Sequence, residues 1–249
     1  SFIVAAAGVL ILSGPASGQT AAPDYLRTGI ERIQAGDFQP GIMMLDEVVA
    51  PWSRADAATM ARAHAYRAQG FLGLHQPENA RAAVLLALKA SPHISVTAAD
   101  YSADVVRLFD EARRPASAVS PEIAAAVAEQ TWNYRDAFAG YVAVYQGLAD
   151  PAPAEDDRRL REKIIALARR LDPPPAIPQD ARTHYAKAEQ LLEAQAVLGG
   201  AGTASLEAAA GELQRAIRSA PWWGDAAWKL ATVLQRLQRV DAALTNLNL

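Results

Sequence analysis

Few residues in this chain combine the type and spacing that chemistry requires. Four histidines, His64, His75, His93 and His184, are scattered without a partner at ligand spacing, and no histidine pair flanks a glutamate. Their placement predicts surface or turn residues rather than a metal centre. Gly199, Gly200 and Gly202 form the kind of run that cradles phosphate, yet no Gly-Lys-Ser/Thr follows and no strand precedes it; a flexible inter-helix loop is the expectation. Glu155, Asp156 and Asp157, followed by Arg158 and Arg159, fit the first turn of a helix, where negative charge meets the positive end of the macrodipole, better than a pair of catalytic carboxylates. Cysteine is absent, which removes disulfides, thiolate zinc sites, cysteine nucleophiles and lipid attachment through an N-terminal cysteine. No nucleophile-elbow or kinase motif is present. The residues therefore predict a protein that is not an enzyme, with no catalytic residue, no metal and no cofactor.

The aromatic residues are more suggestive. Trp222, Trp223 and Trp228 cluster within seven positions, and tryptophan is among the residues that most often anchor interfaces. Trp222 and Trp223 are expected to pack between neighbouring helices. A second aromatic group, Trp132, Tyr134, Tyr141 and Tyr145, would have to line the pocket of any small-molecule site.

The elements that position these residues follow from composition and period. Hydrophobic residues make up 51% of the 249 positions, enough for a substantial core. Much of that share is alanine, and β-branched or aromatic alternation at period two is scarce, so close-packed helices are favoured over sheets. The net charge of -3 and pI near 5.8, without a dense lysine or arginine cluster, argue against a nucleic-acid partner.

Residues Phe2 to Leu12 form an apolar run, followed by Ser13, Gly14 and Pro15 and then Ala16-Ser17-Gly18. Small residues three and one before Gln19 match signal-peptidase recognition, so residues 1–18 are expected to be an export signal, incomplete at its start and cleaved after Gly18. That places the mature protein in the periplasm or on the extracellular face of the envelope, with no stable membrane insertion. The run is too short to span a bilayer, which takes about 20 apolar residues. Two other readings stay open: an apolar helix of the fold, and an anchor retained uncleaved.

Self-similarity organises the rest. Ala209 and Leu213 recur as Ala243 and Leu247, 34 residues on in both cases. The final stretch carries Leu230, Ala231 and Leu234 in one helix, then Ala243 and Leu247 in the next. Near the start, Tyr25, Gly29, Gly36, Asp37, Phe38, Gly41, Ile42 and Leu45 fit one unit, and Ala68, Phe71, Ala80, Val84, Ala87 and Pro92 fit another. The small members, Gly29, Gly41, Ala68, Ala80, Ala209, Ala231 and Ala243, are the positions at which paired helices must approach closely.

These patterns resemble the tetratricopeptide repeat, and the whole succession resembles repeat proteins of the bacterial cell envelope. The departures are Arg32 where a large apolar residue is usual, His64 where an aromatic is preferred, and a long LGGAGTAS linker. The resemblance implies an all-α fold: tetratricopeptide-like helix-turn-helix repeats forming an alpha-alpha superhelix, in two blocks joined by a less regular segment. The expected divisions are 22–115 for a first pair with a closing helix, 116–175 for a middle segment with a cryptic repeat, and 176–249 for truncated C-terminal repeats. A boundary is expected at DPPPAIPQD, where prolines interrupt any helix.

The same resemblance implies a groove lined by the first helices. Trp228, Thr232 and Gln235 would face it in the last unit, and Leu26, Ile30 and Ile33, then Ala65, Gln69 and Leu72, in the first two. Such a groove should prefer an apolar peptide or helix over an acidic tail, unless a segment of the chain itself fills it. Three functions are then open: an exported scaffold that binds a protein or peptide partner, a structural arm of a longer envelope protein, and a small-molecule binder or enzyme using the middle aromatic helices.

Overall fold

A computed structural model describes residues 21–114, 119–150, 152–197 and 203–247. The expected export segment at 1–18 and the glycines at 199, 200 and 202 lie outside the described residues. Within them the chain is all-helical: twelve helices and no strand. Contacts divide it into two compact units, one formed by residues up to Ala80 with Leu86–Asp110, the other by Arg81–Leu85 with Glu111–Leu249.

The first unit contains α1 (Ala21–Gln34), α2 (Phe38–Val49), α3 (Ala57–Gly73), the greater part of α4 (Pro77–Ala90) and nearly all of α5 (Ala103–Ala112). Helices α1, α2 and α3 pack against one another in all three pairings. The first two cross where glycine faces glycine. A Cβ added at Gly29 would lie 2.7 Å from Leu45 Cγ and 3.2 Å from the Gly41 carbonyl oxygen. Only hydrogen at these positions lets the backbones come so close.

The second unit contains α6 (Pro121–Gln130), α7 (Tyr134–Gln146), α8 (Ala154–Ala168), α9 (Gln179–Val197), α10 (Thr203–Ser219), α11 (Gly224–Arg236) and α12 (Val240–Leu247). Consecutive helices pack as α6 with α7, α7 with α8, α9 with α10, α10 with α11 and α11 with α12. One core cluster centres on Tyr141, Tyr145, Leu160, Ile164 and Leu167, and another on Ala209, Leu213, Leu230, Leu234 and Ala243. The proline stretch is non-helical but lies inside this unit. Helix α8 ends at Ala168, with Arg170 and Leu171 donating to the carbonyls three positions back before the prolines begin.

Four helix pairs share one turn. Gly36 (φ 86), His75 (φ 57), Trp132 (φ 59) and Gln238 (φ 60) adopt left-handed backbone between α1 and α2, α3 and α4, α6 and α7, and α11 and α12. In each case the next N–H reaches back five residues: Asp37 to Arg32 at 2.9 Å, Gln76 to Phe71 at 2.8 Å, Asn133 to Ala128 at 2.9 Å and Arg239 to Leu234 at 2.9 Å. This is the Schellman closure, which satisfies carbonyls left over at a helix C-terminus. The carbonyls of Asp37, Gln76, Asn133 and Arg239 then begin the second helix by accepting from the N–H groups of Gly41, Ala80, Ala137 and Ala243 at 3.0–3.1 Å. The four residues that donate these bonds are small and buried, and twelve positions before each stands a second small buried residue: Gly29, Ala68, Ala125 and Ala231. Turn, register and small-residue pair thus recur together, including in the α6–α7 pair, where the sequence signal is weakest.

Two histidines depart from the surface placement predicted for them. His64 lies inside α3, only 8% exposed. Its Nδ1 lies 3.0 Å from Arg67 Nη1, and Arg67 Nε lies 2.9 Å from the Asp46 carboxylate. Burial, reinforced by the Arg67 charge, pushes the His64 imidazole down to about 3, so the ring is neutral and Nδ1 accepts from the guanidinium. His184 stands 2.7 Å from the buried Glu212 carboxylate, which Lys187 and Arg215 also contact at 2.7 and 2.6 Å. Hydrogen bonds from Lys187, then His184 and Arg215, hold that carboxyl down at about 2. Isolated in sequence, both histidines meet their partners only through helix periodicity or packing. His75 and His93 are exposed, and His75 is a turn residue.

Candidate partner-binding groove

Helix α8 carries two adjacent stripes. Leu160, Ile164 and Leu167 enter the core. The neighbouring stripe, Arg161, Ile165 and Ala168 at helical spacing, forms one wall of a groove of about 540 Å³. Arg169 and Leu171 beyond the helix, Pro174 and Pro175 from the proline stretch, the turn Pro221–Gly224, Ala227 and Trp228 of α11, and Asn246 and Leu247 of α12 complete the lining. All of these residues belong to the second unit.

The tryptophans divide the work. Trp222 packs edge-on against Phe138 with ring centres 4.9 Å apart, joining the α6–α8 cluster. Trp223 lies against Tyr185 at 4.6 Å, joining the α9–α12 cluster. Each also presents an edge to the groove, and Trp228 stands 63% exposed beside them. Arg218 of α10 lies over the Tyr145 ring at 5.4 Å and donates to the carbonyls of Leu148, Gln146 and Ala149, so that it caps the end of α7 and ties α10 to it.

Electrostatically the groove is one-sided. Its charged lining residues are Arg161 and Arg169, with no acid among them. Arg161 is a buried cation whose side chain is only 4% exposed. Its Nη1 donates to Asn246 Oδ1 at 3.1 Å and lies 3.7 Å from Asp157, a carboxylate that also accepts from the Tyr145 hydroxyl at 2.8 Å. Arg161 Nε and Nη2 are buried with no hydrogen-bond acceptor, and so is Trp222 Nε1. A buried guanidinium left partly unmatched is costly, and all three orphaned atoms are donors.

The residues read from sequence as groove positions separate by location. Trp228, Thr232 and Gln235 share one exposed face of α11, yet only Trp228 reaches the groove lining. The Thr232 hydroxyl donates to the Trp228 carbonyl at 3.0 Å, within its own helix. Gln69 and Leu72 lie on α3 of the first unit, both half-buried. Of the other expected positions, Ile33 and Ala65 are closed core, because Ile33 Cδ1 fills the space left by Gly41 and Gly70. Leu26 and Ile30 do reach a cleft of about 770 Å³, but its wall includes Arg27, Glu31, Asp56 and Asp100, so it is polar rather than the apolar channel expected.

The residues expected to pack helices together, Gly29, Gly41, Ala68, Ala80, Ala209, Ala231 and Ala243, are all buried. Of the middle aromatics, Tyr141 and Tyr145 are turned inward, whereas Trp132 and Tyr134 are half-buried. Tyr141 donates to Glu129 at 2.9 Å and Tyr145 to Asp157 at 2.8 Å, and burial foremost raises both phenols well above their ordinary range. Among the described residues, no group of three or more His, Cys, Asp or Glu side chains is placed to hold a metal, and no helix is long and apolar enough to cross a membrane. Sequence reasoning missed Arg161, Arg169, Pro174 and Pro175. Arg161 sits in the run EDDRRLREK, where its charge looks like part of a solvated face; its burial depends on Asn246, 85 residues away. Neither a protein-family model nor a curated protein matches the chain.

Proposed function

We propose that this chain is an exported scaffold of tetratricopeptide type, whose stacked helix pairs bind a protein or peptide partner and perform no catalysis. The observation that carries the proposal is the groove beside Trp228. A large indole, 63% exposed, stands over a concave surface of tryptophan, proline and arginine, and tryptophan and arginine are residue types in which binding energy concentrates. Support for the repeat assignment comes from the shared turn and the small-residue pairs twelve positions apart. The apolar run at 2–12 with its small-residue exit supports export.

The test is site-specific photocrosslinking in cells that export the full chain, with p-benzoylphenylalanine placed at Trp228 or, as a control, at the exposed Gln214 of α10. A discrete protein adduct is expected from position 228 and not from 214. Equal labelling at both positions, or none at 228, would remove the groove from the function.

A further inference from the structure

We infer that the groove selects partners carrying a carboxylate beside a bulky apolar side chain, with Arg161 as the anion-reading residue and Trp222 assisting it. The inference rests on the scaffold reading and names its ligand chemistry. Three observations support it. The groove-lining residues Arg161 and Trp222 hold three orphaned donors, Arg161 Nε, Arg161 Nη2 and Trp222 Nε1, each covered from solvent and without a protein acceptor. A ligand that satisfies them must bring acceptors, and a carboxylate is acceptor-only, with two oxygens matched to the guanidinium fork. Next, the charged lining consists of two arginines in a chain of net charge -3, so a local positive field is set against an acidic whole. Finally, Trp223, Trp228, Pro174 and Pro175 supply flat apolar walls that can hold a side chain adjacent to the anion.

The existing partners of Arg161 do not exhaust it. Asp157 lies 3.7 Å away, beyond hydrogen-bond length, and is already engaged by Tyr145; Asn246 occupies Nη1 alone. A carboxylate on the other edge of the guanidinium would complete a buried pair rather than compete with one. This also revises the expectation of a purely apolar groove: the walls are apolar, but the wall that buries Arg161 is cationic.

The test is selection of random dodecapeptides on the full chain, followed by affinity measurement with the chosen peptides and their amide counterparts. Selected sequences should share an aspartate, glutamate or free C-terminus next to a bulky apolar residue. Replacing that carboxylate by its amide should weaken binding about tenfold or more, and Arg161→Met should lose the discrimination. The peptide-side change leaves the protein intact, so the outcome does not depend on how well the variant folds. Binders selected with no acidic group, or indifferent to the amide exchange, overturn the anion site while leaving a binding groove. Failure to select any binder counts against both proposals. A selected sequence matching this chain, with dimers seen on sedimentation, would put a second copy in the groove and overturn the inference as well.

Discussion

Two glycine-to-alanine substitutions should change stability in opposite directions. In a helix interior the exchange ordinarily stabilises by about 0.5–1 kcal/mol, because glycine loses more backbone entropy on folding. Gly211 of α10 has nothing within 4 Å of its missing Cβ, so Gly211→Ala should deliver that gain. At Gly29 the new methyl would lie 2.7 and 2.8 Å from Leu45 Cγ and Cδ2 and 3.2 Å from the Gly41 carbonyl oxygen. Leu45 is fully buried and the carbonyl is backbone, so neither can simply step aside. Overpacking of this kind costs about 1–3 kcal/mol. Set against the helix gain, Gly29→Ala should lose about 1 kcal/mol or more. A unit of roughly 100 residues would then melt about 4–8 °C lower for each kcal/mol lost, whereas Gly211→Ala should raise the transition of the larger unit by a few degrees. Calorimetry resolves the two transitions if the units unfold separately, and urea titration checks the sign through the midpoint. A neutral or stabilising Gly29→Ala would refute the close α1–α2 crossing on which the hairpin geometry depends.

Two further perturbations test the same structure. His64 is held neutral, so the native state binds a proton only near pH 3 whereas the unfolded chain binds one near 6.5; stability is full above about pH 6.5 and declines by up to about 1.4 kcal/mol per pH unit as pH falls toward 3. His64→Phe should flatten that part of the stability–pH curve in acid titration, and an unchanged slope would mean that His64 is solvated. Gln238 occupies left-handed backbone at φ 60, a conformation that disfavours a side chain by about 1–2 kcal/mol. Gln238→Gly should therefore stabilise by a few tenths to about 1 kcal/mol, net of glycine's larger entropy loss, and a lower thermal midpoint would show that the turn is not strained.

The helical elements were legible because period and small-residue spacing are local. The turn at Gly36 announces itself, since glycine is the residue that left-handed backbone prefers. Its counterparts at His75, Trp132 and Gln238 carry no such mark, and there the recurring closure emerges only from hydrogen bonds. The α6–α7 pair shows the consequence: Ala125 and Ala137 hold the same places as Gly29 and Gly41, yet without glycine at the turn the repeat reads faintly.

The groove was less legible for a different reason. Trp228 is legible from the tryptophan cluster together with the repeat resemblance, whereas Trp52, 67% exposed, draws no such notice because it stands alone in sequence. Arg161 is not legible. Its charge pattern matches Arg158, which pairs with Glu162 at the surface at 2.8 Å, and Arg159, which pairs with Glu122 and Asp156. What separates Arg161 from them is the phase of α8, which places it on the stripe that shares the groove lining with α11 and α12, where its Nη1 donates to Asn246. Three arginines within four positions thus have two surface roles and one buried role, and the difference lies in which neighbour the helix phase delivers. A sequence can mark a helix as amphipathic, but which polar residue at the edge of its apolar face becomes buried is decided by the partner helix. That is why the anion-reading position emerges from packing while the fold emerges from pattern.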